Sequence, residues 1–171
     1  MPEFYDKKML MDEFEKASKY VDEVLSGKTT IAQAANVQDQ DLDEMFKRAQ
    51  TALQLEDYPG AEELFTTLLV LNNKDTRAIM GLAGALEGQA KYEFAMPLYF
   101  MVLATTPYDP VAPFRAGICL VHLGKKEEAI KLFSLAADCA KEAKNTKKQI
   151  YVERAKGMLK TLADTTNDET R

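Results

Sequence analysis

An all-α fold of three stacked helix-turn-helix repeats is predicted by two observations along this 171-residue chain. Ala61, Ala95 and Ala129 recur at a step of 34 residues, and Phe65, Tyr99 and Phe133 keep that step four positions later. Tyr58 and Tyr92 stand three residues before the first two alanines, and Pro107 closes the second unit. A small residue is needed where the two antiparallel helices of a repeat pass closest, and the aromatic fills the space toward the next pair. This period and phase mark tetratricopeptide helix pairs, which stack into a short right-handed superhelix.

Each element has its own local signal. Residues 4–26 read as an N-terminal amphipathic helix, with Leu10, Phe14, Ala17, Val21 and Val24 recurring at helical spacing. Gly27 supplies a stop. The run from Thr30 to Ala35 reads as a short helical turn, and Asp41 with Glu44 resembles a capping box opening the first repeat. The repeats span 42–75, 76–109 and 110–143 within a single domain, with turns near Glu56, Ala90 and Gly124. The eighth position of each first helix is small: Ala49, Ala83 and Gly117.

Pro59 and Pro110 suit first helical turns, where a missing N–H is no loss. Pro97 falls about six residues into a helix and predicts a kink or a late helix start. Thr146 and Gln149 match a capping box, after which Ile150, Ala155, Met158, Leu159 and Leu162 form one apolar face of a helix over 146–163. That helix covers the last repeat, as a solenoid end requires. The tail 164–171 is expected to be mobile.

Composition excludes several functions. The net charge is −5 with no basic stripe, which argues against nucleic-acid binding, since phosphate contacts supply most of that affinity. No apolar run is long enough for stable membrane insertion, and the start lacks the apolar segment of a secretory signal. Cys119 and Cys139 are isolated and read as small hydrophobes in a reducing compartment. His122 is the sole histidine, so no metal-ligand set forms; no cofactor motif occurs either. His122 reads as a cation at a helix C-terminus rather than a catalyst. The expectation is a protein that is not an enzyme.

The informative residues lie on the first helix of each pair, which lines the concave face through repeat positions 2, 5, 9 and 12. Repeat one places Asp43, Phe46, Gln50 and Leu53 there; repeat two places Arg77, Met80, Gly84 and Glu87; repeat three places Val111, Phe114, Ile118 and Val121. A monomer rarely leaves so many apolar side chains along an open groove. The face therefore reads as a peptide-binding groove, with Gly84 allowing close backbone approach. The alternative is that a flanking helix covers it and makes these residues core. A carboxylate clamp is disfavoured, because Phe46 stands where a basic residue is needed.

The segment from about Gly27 to Ala140 also resembles a known family, the LcrH/SycD/IpgC-like class II chaperones of type III secretion. The resemblance rests on Thr30-Ile-Ala, Asp57-Tyr58 with Ala61 and Phe65, Asp75-Thr-Arg77 with Gly81-Leu82, and Tyr92 with Ala95. It also rests on the run from Asp109-Pro110 through Pro113-Phe114 to Leu120; generic tetratricopeptide repeats demand neither Arg77 nor the pattern of Pro110 with Pro113-Phe114. It implies a holdase of the bacterial cytoplasm without ATPase activity. Such a protein holds, in its concave groove, an extended segment near the N-terminus of hydrophobic translocator subunits and keeps them soluble and unassociated before export.

The resemblance further implies that Phe46, Gln50, Leu53 and Tyr58 match groove positions often aromatic in the family. Phe46 and Tyr58 keep that character; Gln50 and Leu53 depart from it. Tyr58 has a second reading as packing for the inter-helix turn. Homodimerisation through Phe4, Leu10, Phe14 and Val21 is implied too, with docking of that helix on the chain's own first repeat equally open. Some relatives act with a transcriptional regulator. The rival reading is a tetratricopeptide adaptor unrelated to secretion.

Overall fold

The computed structural model describes residues 15, 18, 19, 21–139 and 147–168, and the side chains of these up to 164. Every regular element among them is a helix. After a helical stretch over 21–25 come α1 (Ile31–Ala34), α2 (Asp39–Gln54), α3 (Tyr58–Leu71), α4 (Thr76–Gly88), α5 (Tyr92–Thr105), α6 (Val111–His122), α7 (Lys126–Asp138) and α8 (Gln149–Asp168). From α2 onward each helix packs on the next, giving the pairs α2/α3, α4/α5 and α6/α7, with α8 laid against α7.

Local chemistry sets the boundaries. Thr30 caps α1 with a complete capping box: its hydroxyl accepts from the Gln33 amide, and the Thr30 amide donates to the Gln33 side chain. Asp57 caps α3 and Asp75 caps α4, each accepting from amides of the first turn. Gly27, at φ +70°, ends the 21–25 stretch in a Schellman motif: the Gly27 amide donates to Val24 and the Lys28 amide to Glu23. The first helix of every pair closes the same way, on Glu56, Ala90 and Gly124, all at positive φ.

Side-chain packing between helices follows the ladder. Ala61, Ala95 and Ala129 are fully buried, and Phe65, Tyr99 and Phe133 are at most 1% exposed. The aromatics lie on small residues: a methyl added at Gly81 runs into the Phe65 ring, and one at Gly117 meets Phe133. Burying such a ring is worth about 3 kcal/mol, and only a residue without a Cβ lets it seat so close to the helix backbone. Cys119 and Cys139 are buried free thiols.

Several expectations need correction. The first repeat opens at Asp39 rather than at an Asp41–Glu44 box. Its N-cap is Gln38, which makes no side-chain cap bond, and Asp39 and Asp41 instead place charge in the first turn. Pro97 does not delay its helix, since α5 runs unbroken from Tyr92 to Thr105.

In α8, Ile150 is 49% exposed and off the apolar face, whereas Val152 and Ala155 are fully buried there. The helix runs to Asp168, past residue 163 and into the stretch expected to be mobile. Thr146, Phe4, Leu10 and Phe14 lie outside the described residues; Val21 is described and 55% exposed.

Candidate functional site

The first helices of the pairs, α2, α4 and α6, bring their lining positions to one cleft of about 600 Å³, with the start of α8 closing it. Phe46, Gln50 and Leu53 come from α2; Arg77, Met80 and Gly84 from α4; Val111 and Arg115 from α6; Tyr151 from α8. Val102, Thr106 and Asp109 complete the wall, and the Phe65 ring over Gly81 forms part of its floor. A second cleft of about 340 Å³ adjoins it, sharing Leu53, Gly84 and Arg115 and adding Tyr58, Glu87, Tyr92 and His122. Gly84 separates no packed side chains: the atom nearest to an added methyl is Leu53 Cδ1, at 4.0 Å.

One end of the large cleft is fixed by Arg77. Its Nε and Nη2 donate to the two carboxylate oxygens of Asp75 at 3.1 and 2.9 Å, and Asp43 lies 3.6 Å from Nη1. The guanidinium carbon sits 4.8 Å from the centre of the Phe46 ring, a cation–π contact that holds the ring in place. The Arg77 hydrogen bond holds the Asp75 carboxyl below the usual carboxylate range, against the opposing effect of burial. At the other end, Lys148 pairs with Asp109 at 2.5 Å and ties the approach to α8 to the loop before α6.

Between the two clefts lies a polar cluster. The Tyr99 hydroxyl donates to Glu87 Oε2 at 2.5 Å, and Arg115 Nη1 donates to the same oxygen at 3.1 Å. Burial, followed by the Glu87 charge, pushes the Tyr99 phenol far above its ordinary range. Arg115 is raised as well: burial opposes its charge, but Glu87 outweighs that. Cys119, behind this cluster, is pushed up to about 12, first by burial and then by Glu87. It is a packed thiol and a poor nucleophile. His122 stacks flat on Tyr92, centroids 4.4 Å apart and planes within 2°.

The cleft thus gathers Phe46, Gln50, Leu53, Arg77, Met80 and Gly84, with Tyr58 and Glu87 in the adjoining one. It leaves out Phe114, Ile118 and Val121. Phe114 is 8% exposed, its ring 5.8 Å from Phe133 and 5.6 Å from Tyr151, and Ile118 and Val121 pack on the same cluster with Met158 and Leu159. Phe114 is thus core and Ile118 and Val121 are half-buried beside it, because α8 covers that part of α6. Arg115, His122 and Tyr151 are not marked by the repeat pattern, and Tyr92 is marked there as a repeat position rather than as a lining residue. Arg115 had a readable signal, since it lies 34 residues after Gly81, a floor position of the cleft. Among the described residues, no cluster of three His, Cys, Asp or Glu side chains is placed to hold a metal ion, and no helix is long and apolar enough to cross a membrane.

A stack of helix pairs with an apolar cleft along its first helices is a short solenoid of the tetratricopeptide type. No protein-family model matches the chain. It is similar to the Low calcium response locus protein H of Yersinia pestis and of Yersinia pseudotuberculosis, 29% identical over 105 residues, or 61% of this chain. The matched part spans 62% of those relatives' length.

Among solved structures, a T3SS complex from Aeromonas hydrophila matches with a TM-score of 0.77 and 23% identity, over 86% of this chain and 97% of that one. The translocator chaperone SycD of Yersinia enterocolitica, solved with a peptide of the translocator YopD, matches with a TM-score of 0.69 and 24% identity, over 76% and 98%. These likenesses establish the fold. They fall on the same group of proteins as the resemblance carried by the Arg77 and Pro113-Phe114 motifs.

Proposed function

We propose that this chain is a type III secretion chaperone that holds hydrophobic translocator proteins before export, by seating an extended client segment in the 600 Å³ cleft. The observation that carries this reading is the open apolar row of Phe46, Leu53 and Met80 on the scaffold that, in SycD, was solved with a translocator peptide. Burying each such side chain against a client is worth about 1.5–3 kcal/mol, so a few anchors offset the ordering of a peptide. The work is binding alone, in the bacterial cytoplasm, with no chemical step assigned to any residue. Val21, exposed on the N-terminal helix, remains part of the proposal as a contact for self-association.

Co-expression with candidate membrane-inserting translocators, followed by affinity capture and mass spectrometry, tests the reading. The expected result is a soluble complex that Phe46→Glu or Met80→Glu abolishes while helicity is kept. Full capture by both folded variants would remove the cleft from the function.

A further inference from the structure

Arg115 stands where the two clefts meet, and nothing in the repeat pattern calls for a charge there. Its counterpart one repeat earlier is Gly81, lying under Phe65; the counterpart of that ring is Tyr99, and the counterpart of Leu53 is Glu87. An apolar trio at the junction of the first two repeats is thus replaced by a hydrogen-bonded polar trio at the next junction. Burying such a trio inside a groove built for apolar anchors is unfavourable unless its partners are satisfied. Glu87 is satisfied twice on one oxygen, but a guanidinium carries more donors than that oxygen uses. The Arg115 side chain remains 38% exposed and lines both clefts. Gly84 lines the same two clefts, with only Leu53 Cδ1, at 4.0 Å, near the place of a Cβ.

Resting on the groove reading above, we infer that Arg115 is a register-setting residue for the client, taking a neutral oxygen acceptor of the peptide main chain as it crosses Gly84. The acceptor is neutral because Glu87 already balances the guanidinium charge, so a client carboxylate would compete with Glu87 and leave the site with excess negative charge. The absence of a Cβ at Gly84 brings a main chain, rather than a side chain, within reach. Apolar anchors then enter the large cleft on one side, and the smaller, more polar cleft of Tyr58, Tyr92 and His122 receives the flanking residue. A contact of this kind favours one placement of a segment over placements shifted by one residue, which apolar pockets alone discriminate weakly.

The probe is an array of overlapping synthetic peptides tiling the translocator captured above, with Kd measured at low and high salt. Replacing Arg115 and Glu87 together by Met and Gln removes the donor without stranding a carboxylate. The expected result is about a tenfold loss on the best peptide and a spread of binding over neighbouring registers, in a variant whose helicity by circular dichroism matches wild type at the assay temperature. Glu87→Gln alone leaves the guanidinium uncompensated, so it is expected to shift preference toward acidic peptides and to add salt dependence. Wild type that already prefers acidic peptides in a salt-sensitive way overturns the neutral-acceptor inference. If the double variant binds like wild type while Phe46→Glu does not bind, Arg115 has no such role and the groove reading stands. Loss of neither, or no peptide bound by wild type, overturns both.

Discussion

The buried Tyr99 hydroxyl, 2.5 Å from Glu87 Oε2, joins the second helix of the middle repeat to the first helix of the same pair. Tyr99 belongs to the aromatic ladder, and its ring does the same packing as Phe65 and Phe133. Only its hydroxyl differs, so Tyr99→Phe isolates the polar contact. A hydrogen bond to a buried charged group contributes about 1.5–3 kcal/mol. Urea denaturation is expected to show a loss in that range with an unchanged m-value. Phe65→Tyr, which adds a hydroxyl where Leu53 offers no acceptor, is expected to destabilise as well rather than compensate.

Gly81 and Gly84 lie on one helix three residues apart and respond oppositely to the same change. A methyl at Gly81 collides with the Phe65 ring, which is itself 1% exposed and has nowhere to move. Gly81→Ala is expected to destabilise by about 1–3 kcal/mol through overpacking. At Gly84 the nearest atom is 4.0 Å away, so alanine fits and improves helix propensity, with an expected gain of about 0.5–1 kcal/mol. The same methyl narrows the cleft, so client capture is expected to weaken in the more stable variant. Denaturation midpoints and pull-down yields from the two proteins check both halves.

Local periodicity explains why so much of the fold was legible. The small-residue and aromatic steps, and the turns at Glu56, Ala90 and Gly124, depend on neighbours within one repeat or the next. The open or closed state of a lining position does not. Phe46 and Phe114 occupy the same repeat position and look alike in the sequence, yet one lines the cleft and the other is covered by Tyr151, 37 residues further along. That cover comes from a helix outside the 34-residue period. Arg115 was missed for a different reason: it sits one position beyond the lining phase, facing a floor that is glycine in the preceding repeat.

The Schellman closures of the three first helices give an internally controlled experiment. Glu56, Ala90 and Gly124 are equivalent, exposed and left-handed, with φ of 59°, 58° and 72°, and only the last is glycine. For a residue with a Cβ that conformation costs about 1–2 kcal/mol, part of which glycine returns as chain entropy in the unfolded state. Glu56→Gly and Ala90→Gly are each expected to stabilise by about 0.5–1 kcal/mol, and Gly124→Ala to destabilise by a similar amount. Thermal melts of the three variants decide it, and a loss of stability in Ala90→Gly contradicts the strain argument directly.

Asp75 links stability to pH in a direction that its partners determine. Its carboxyl is held below the ordinary value first by the Arg77 side chain and then by the amides of Arg77 and Ala78, with burial opposing. A carboxyl depressed in the folded state binds its proton more readily when unfolded. Its stabilising contribution is therefore complete above the ordinary aspartate value of about 4 and is lost as pH falls through the lower folded value. Asparagine at this position can still cap α4 but cannot titrate. Asp75→Asn is expected to melt below wild type at pH 7, with the gap closing as pH is taken from about 4 toward 2.5. A gap that stays constant across that interval would show that the Arg77 pair contributes nothing to acid sensitivity.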